Sequence, residues 1–332
     1  MWRCLFGLAV CIAHVACVHA AMNPDVGKIA GVYWAGEPKG PVKRVVVEKR
    51  RFAFPSGVPV PGVRFKVVEE EYDRDGRLER RTRYHGEEQQ AGFQTNEYVY
   101  DSVGRLVEDA YSTETFPRAY VMRNMYDERG YRAETVYVDS QNEPTSRRLY
   151  DYDERGRCTS ERYIQRDGTE LQTTRYSYAD DEADKPSETT YYDRDARLLS
   201  RGTYEYTAQG DIAVCTMLSA QGFVQAKTTN TYDANGKLVQ ETQESPQGKN
   251  VVCYDRHANP INEVMLDADG HLLVRSVRLY AYDRYGNWTH CYDFRTTRIL
   301  CGFRIMTPHE FTVKRLECYE GEKAGPETKE SQ

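Results

Sequence analysis

The chain has 332 residues, of which 29% are charged, and a formal net charge of −6. Bases and acids are interspersed, so there is no basic stripe of the kind that binds nucleic acid. Its mean hydropathy of −0.75 is polar for a globular protein, yet 26 tyrosines can supply the apolar area, at about 150–250 Å² per buried aromatic, and argue against disorder.

Residues 1–20 read as a secretory signal peptide. Arg3 gives a basic start, Cys4 to Val18 is mainly apolar, and Val18-His19-Ala20 is a cleavage site, so cleavage is expected after Ala20. The apolar run is short for a span of about 20 residues. Cys17 is a lesser candidate for lipid attachment, because His14 stands where an aliphatic residue is normally needed. Residues 21–62 form an extended lead-in and a first strand. That strand is Val42 to Phe54, rich in valine and flanked by bases. Pro55 to Pro61 reads as a loop that resists strand pairing.

Residues 63–292 repeat a short unit, Tyr-Asp-x-x-Gly-(Arg/Lys)-Leu. Its turn residues are Asp73 and Gly76, Asp101 and Gly104, Asp127 and Gly130, Asp153 and Gly156, Asp233 and Gly236, and Asp283 and Gly286. Tyr100, Tyr126, Tyr152 and Tyr178 are each 26 residues apart, and degenerate copies start at Tyr178, Tyr192, Tyr206 and Tyr254. A second turn type, as at Ile164 to Gly168, Leu218 to Gly222 and Leu266 to Gly270, falls halfway. Asp at the first turn position accepts hydrogen bonds from the turn's own backbone, and Gly three residues later supplies the left-handed conformation of a bulged hairpin. One strand plus one turn is the basic step, which predicts Gly156 and Gly168 at opposite ends of a strand. Pairs such as Tyr98 and Tyr100, or Tyr280 and Tyr282, stand at period 2 and share a face. Stacked across neighbouring strands they would form aromatic ladders.

The expected fold is all-β: an array of antiparallel β-hairpins forming a long twisted or partly wound meander sheet in a single continuous unit. Residues 293–320 continue as capping strands without the turn signature, and 321–332 are a polar tail expected to be disordered.

No catalytic motif or cofactor site is readable. Asp73-Arg74-Asp75-Gly76 and Asp267-Ala268-Asp269-Gly270 look like calcium-loop fragments, but the other ligand positions fail. Asp180, Asp181, Glu182 and Asp184 are a better calcium candidate, against the simpler reading of a solvated loop. No histidine stands at zinc-site spacing. Beyond the leader, Cys158, Cys215, Cys253, Cys291, Cys301 and Cys318 are an even number that permits disulfides, though the spacing assigns none. Cys158 occupies a repeat position held elsewhere by Leu and reads as a core thiol. Asn287-Trp288-Thr289 matches a glycosylation sequon, with Asn287 read as a turn residue. Trp288 is a candidate for stacking against a sugar ring, or for core packing.

These turns resemble the YD repeats of the Rhs family, small exported bacterial type, over roughly residues 63–292. Tyr282-Asp283-Arg284-Tyr285-Gly286-Asn287-Trp288-Thr289 is the most specific copy, and Gly40 to Val45 also looks similar to the family's first strand. The resemblance implies a long sheet of hairpins, an envelope or surface setting, and no enzymatic activity in the repeats. The chain lacks the protease-like segment and the C-terminal toxin domain of large members. The expectation is a secreted or periplasmic binding scaffold, with no transmembrane span in the mature chain, whose partner is an envelope glycan or a protein. The alternative is a structural or toxin-immunity partner docking through sheet edges or faces. An enzyme of unrecognised type is a third reading, which a deep pocket of perturbed carboxylates would bring forward.

Overall fold

A computed structural model describes residues 38–85, 92–298 and 304–319. The expected signal peptide with its cleavage site and Cys17, Cys301, and the expected tail at 321–332 lie outside the described residues.

The strands are β1 (Val42–Ala53), β2 (Val60–Tyr72), β3 (Leu78–Tyr84), β4 (Phe93–Tyr100), β5 (Leu106–Thr113), β6 (Tyr120–Tyr126), β7 (Arg132–Asp139), β8 (Pro144–Tyr152), β9 (Cys158–Gln165) and β10 (Glu170–Ser177). They continue as β11 (Glu188–Asp193), β12 (Leu198–Tyr206), β13 (Ile212–Ser219), β14 (Val224–Tyr232), β15 (Leu238–Ser245), β16 (Gly248–Tyr254), β17 (Pro260–Asp267), β18 (Leu272–Tyr282), β19 (Trp288–Arg298) and β20 (Arg304–Cys318). No helix among the described residues is long and apolar enough to cross a membrane.

The chain divides into two compact units, one containing Gly202–Ser276 and the other Pro38–Arg201 with Val277 onward. The repeat array is thus shared between two units. In the first, β13 to β17 form an antiparallel run of successive hairpins. In the second, each strand from β1 to β11 pairs antiparallel with the next. Gly156 closes the turn between β8 and β9, and Gly168 the turn between β9 and β10, so the two turns lie at opposite ends of β9.

Two expectations need correction. The array is not an open meander, because β1 pairs with β2 on one side and with β20 on the other, and β20 also pairs with β19. Within the second unit β20 therefore joins β1 to β19. The Pro-rich segment also pairs further than expected: Ala53 lies opposite Val60 and Phe52 opposite Pro61. Pro61 follows a register shift between Arg50 and Phe52, the kind of irregularity where a strand tolerates proline.

Cross-strand register sorts the side chains of the second unit into two faces. Glu70, Arg81, Asn96, Tyr98, Asp109, Tyr137, Arg148, Glu161 and Tyr176 share one face. It is polar and mostly half-buried, with Glu70 and Glu161 buried. Glu70 accepts from Arg81 and from the Tyr72 hydroxyl, both at 2.7 Å. Asn96 donates to Asp109 at 2.8 Å, and the Tyr176 hydroxyl donates to Glu161 at 2.6 Å. Glu71, Arg80, Glu97, Glu108, Arg123, Glu134 and Arg147 share the opposite face, where an apolar cluster of Ala110, Val121 and Val138 sits among ion pairs.

Tyrosine burial has a consequence for pH. Burial pushes the hydroxyls of Tyr98, Tyr137, Tyr176 and Tyr280 above their ordinary value. Above about pH 10 the folded state therefore holds protons that the unfolded chain has lost, and stability falls as pH rises, by about 1.4 kcal/mol per pH unit for each such group. Lys314, lowered by burial, works the other way, but it is one group against four. Urea denaturation curves should show stability intact at pH 9 and falling steeply above pH 10. A stability that holds through about pH 11 would contradict the buried state of these rings.

Candidate functional site

The twelve repeat residues fold the turns. In each copy the Gly N–H donates to the Asp carbonyl, and the Asp N–H donates to the carbonyl four residues on. The six glycines have φ between 76° and 87°. Oδ1 of each Asp accepts from the backbone N–H groups two and four residues on, at 2.8–3.0 Å. The N–H of Arg105 holds the Asp101 carboxyl below its ordinary range, and that of Lys237 does the same for Asp233. These carboxylates are ionised and occupied as acceptors, which suits turn closure and not proton transfer.

The tyrosines do not stack copy on copy as expected. Tyr100, Tyr126 and Tyr152 end β4, β6 and β8, and alternate strands stand about 9.5 Å apart, too far for ring contact. The side chain after each Gly fills the gap. Arg77 lies over Tyr100, Arg105 over Tyr126 and Arg157 over Tyr178, at 5.3, 4.4 and 4.4 Å. Tyr131 takes that place over Tyr152, stacked at 5.1 Å. The hydroxyls of Tyr100, Tyr126, Tyr152 and Tyr178 donate to the carbonyls of Leu78, Leu106, Arg132 and Cys158. Direct stacking is found elsewhere, between Tyr120 and Tyr137 at 5.7 Å.

The last copy does a further job. The Asn287 side chain accepts from Lys39 N–H at 2.7 Å and donates to the Lys39 carbonyl at 2.9 Å. The Tyr285 ring lies against Gly40, 3.5 Å from where a Cβ would stand. This copy therefore anchors the backbone that leads into β1, and the amide of the apparent sequon is consumed in doing so.

Trp288 is not a sugar platform. It is 6% exposed, with the Lys314 ammonium 5.2 Å over its ring and Tyr280 edge-on at 6.1 Å. It stands at the repeat position held by Leu in other copies. The acidic loop is not a calcium site in this conformation either: the carbonyls of Asp180, Asp181 and Ala183 converge on Nη1 of Arg157 at 3.0, 3.3 and 2.8 Å. The guanidinium occupies the place a cation would take. Asp267, Asp269 and His271 lie close together, but Asp267 Oδ1 accepts from the N–H groups of the other two, as in the six repeat turns. Cys158, Cys215, Cys253 and Cys291 are free thiols, and burial pushes Cys158 up to about 12.

An open groove of about 390 Å³ lies on the Glu71 face, lined by Arg80, Thr82, Tyr84, Phe93, Thr95, Glu97 and Ser112. Tyr84 and Phe93 face each other across β3 and β4, with Phe93 39% exposed. Beside them the Thr82 and Thr95 hydroxyls are 3.0 Å apart, and Arg80 donates to Glu97 at 3.0 Å. The Tyr84 hydroxyl donates to Glu69 at 3.0 Å, and Lys66 sits 5.0 Å over its ring. None of these residues belongs to the turn motif. Their one signal in the sequence is period-2 spacing on two adjacent strands, Arg80, Thr82, Tyr84 and Phe93, Thr95, Glu97.

No protein-family model matches the chain, and no curated protein matches it. Similar solved structures include a porin-like protein from Bacteroides uniformis, 11% identical with a TM-score of 0.35, covering 86% of this chain and 100% of that one. The Photorhabdus luminescens Tc holotoxin pore is 12% identical with a TM-score of 0.36, covering 78% of this chain and 18% of that one.

Proposed function

We propose that this chain is an exported, non-enzymatic YD-repeat protein of the bacterial envelope. It acts as a binding scaffold whose ligand is a glycan, held in the groove at Tyr84 and Phe93. The carrying observation is the aromatic pair set beside paired hydroxyls and an Arg–Glu pair on an open face. A sugar ring offers an apolar face for stacking and hydroxyls that match both partners of a charged pair. The repeat itself is consumed by the fold, since its carboxylates and tyrosine hydroxyls are engaged within the turns and strands.

Charge on both faces argues against a lipid-facing barrel. A basic residue on the lipid face costs about 2–4 kcal/mol near the midplane, and the Glu71 face carries the pairs Arg80–Glu97, Arg123–Glu108 and Arg147–Glu134. Edge docking is disfavoured at the two ends of the array, because β1 and β20 are each paired on both sides. Docking of a protein on a face is the alternative.

The test is a screen against purified envelope polysaccharides by titration calorimetry. Tyr84→Ala and Phe93→Ala should each weaken binding about tenfold or more, while leaving circular dichroism unchanged. Absence of binding to any polysaccharide would sink the glycan reading and favour a protein partner.

A further inference from the structure

The β1–β2 hairpin carries a feature that the groove does not explain. From Lys49 to Val68 there are five bases, Lys49, Arg50, Arg51, Arg64 and Lys66, and no acid, in a chain of net charge −6. At the tip, Val63 is 80% exposed, Val58 63%, Val60 46% and Phe54 38%. The tip runs past the pairing of β1 with β20, which stops at Arg51 opposite Glu310, whereas β1 and β2 stay paired to Ala53 and Val60.

The acids facing this segment come from outside it. Glu310 pairs with Lys49 at 2.7 Å, Glu48 with Arg64 at 3.7 Å, and Glu69 with Lys66 at 2.7 Å. Glu48 is shared with Arg315 and Glu69 with Arg44. Three carboxylates thus face the five bases of the hairpin, and two of the three are shared with a further arginine. Arg51 is exposed, three residues before Phe54, and lies 5.9 Å from the Phe65 ring centroid. An apolar tip above a basic collar matches a bilayer, in which the acyl boundary takes the valines and anionic headgroups take the arginines.

We propose that the β1–β2 hairpin tip, Phe54 to Val63, docks into the surface of an anionic lipid bilayer, with Arg50, Arg51 and Arg64 against the headgroups. This contact is separate from glycan binding at Tyr84 and Phe93, and either can fail without the other.

The test places a reporter at the tip of the full chain, Phe54→Trp. The probes are vesicles of phosphatidylcholine alone, or with phosphatidylglycerol at about 30%, each with and without brominated acyl chains. The added tryptophan should shift to shorter wavelength and be quenched by bromine in the phosphatidylglycerol vesicles. The effect should weaken with added salt, and partitioning should fall about tenfold or more in Val58→Asp/Val63→Asp and in Arg50→Glu/Arg51→Glu. Circular dichroism would show whether each variant is folded. Should Val58→Asp/Val63→Asp not fold, the bromine quenching of the Phe54→Trp chain decides alone. No bromine quenching at position 54, or equal quenching in phosphatidylcholine alone, overturns the proposal.

Discussion

Glu70→Ala is expected to lower the free energy of unfolding by about 3–5 kcal/mol, the cost of removing one partner from a buried ion pair. Glu70 is 6% exposed and accepts from Arg81 and Tyr72 at 2.7 Å. Its charge also helps to hold the proton on Lys314, which burial opposes. The truncation leaves the Arg81 guanidinium in the buried face without its carboxylate, and removes charge support from a second buried cation. Glu71→Ala, one residue on and on the opposite face, is the control. Its contact with Arg80 is 3.5 Å long with both side chains more than 40% exposed, and such pairs are worth about 0–1 kcal/mol. Urea denaturation of the two variants should separate them by several-fold. Equal and small losses would mean that the polar face is hydrated.

Gly156→Ala is expected to cost about 3 kcal/mol, against about 1–2 kcal/mol for Gly168→Ala. Both glycines have nearly the same left-handed backbone, φ 81° and 85°, so the conformational penalty of about 1–2 kcal/mol is common to them. They differ in space. A Cβ on Gly156 would overlap the Tyr131 hydroxyl, whereas nothing lies within 4 Å of one on Gly168. Tyr131 cannot withdraw without losing its stacking on Tyr152 and its contact with Arg129, and such overpacking typically adds about 1–3 kcal/mol. In a Tyr131→Ala background the cost of Gly156→Ala should drop toward that of Gly168→Ala. A cost unchanged in that background would mean that the clash plays no part.

The local chemistry of the turns was readable from the residues, because Asp, Gly and their spacing act within one hairpin. Even the degenerate copies keep the turn: Ala196 and Ala258 adopt φ of 56° and 62° where Gly is missing. Relations between strands were legible only in part. The halfway turns already place successive copies on alternate strands, but the sequence did not show that the side chain after each Gly, and not a second ring, would fill the gap between them. Pairing of β1 with β20 joins residues more than 250 positions apart, such as Arg51 and Glu310, and neither strand carries the repeat. Trp288 is ambiguous in sequence because an aromatic at a strand start serves a sugar or a core equally well; its burial depends on how Tyr280 of β18 and Lys314 of β20 sit against it. The groove at Tyr84 and Phe93 has no motif, since its residues come from strand interiors, where any polar or aromatic side chain is compatible with the hairpins.

The pairing of β1 with β20 also sets an order of events during synthesis. The first described strand is Val42–Ala53 and its second partner is Arg304–Cys318, so one side of β1 waits unpaired while the intervening hairpins form. Those hairpins are local and can form quickly, but the closing contact has the largest sequence separation in the sheet and pays the greatest loop-closure entropy. A growing chain would thus spend most of its synthesis with an open valine-rich edge at Val45, Val46 and Val47, the kind of edge that recruits foreign strands. Pairing of β20 with β1, and not completion of the repeats, is the step that covers this edge.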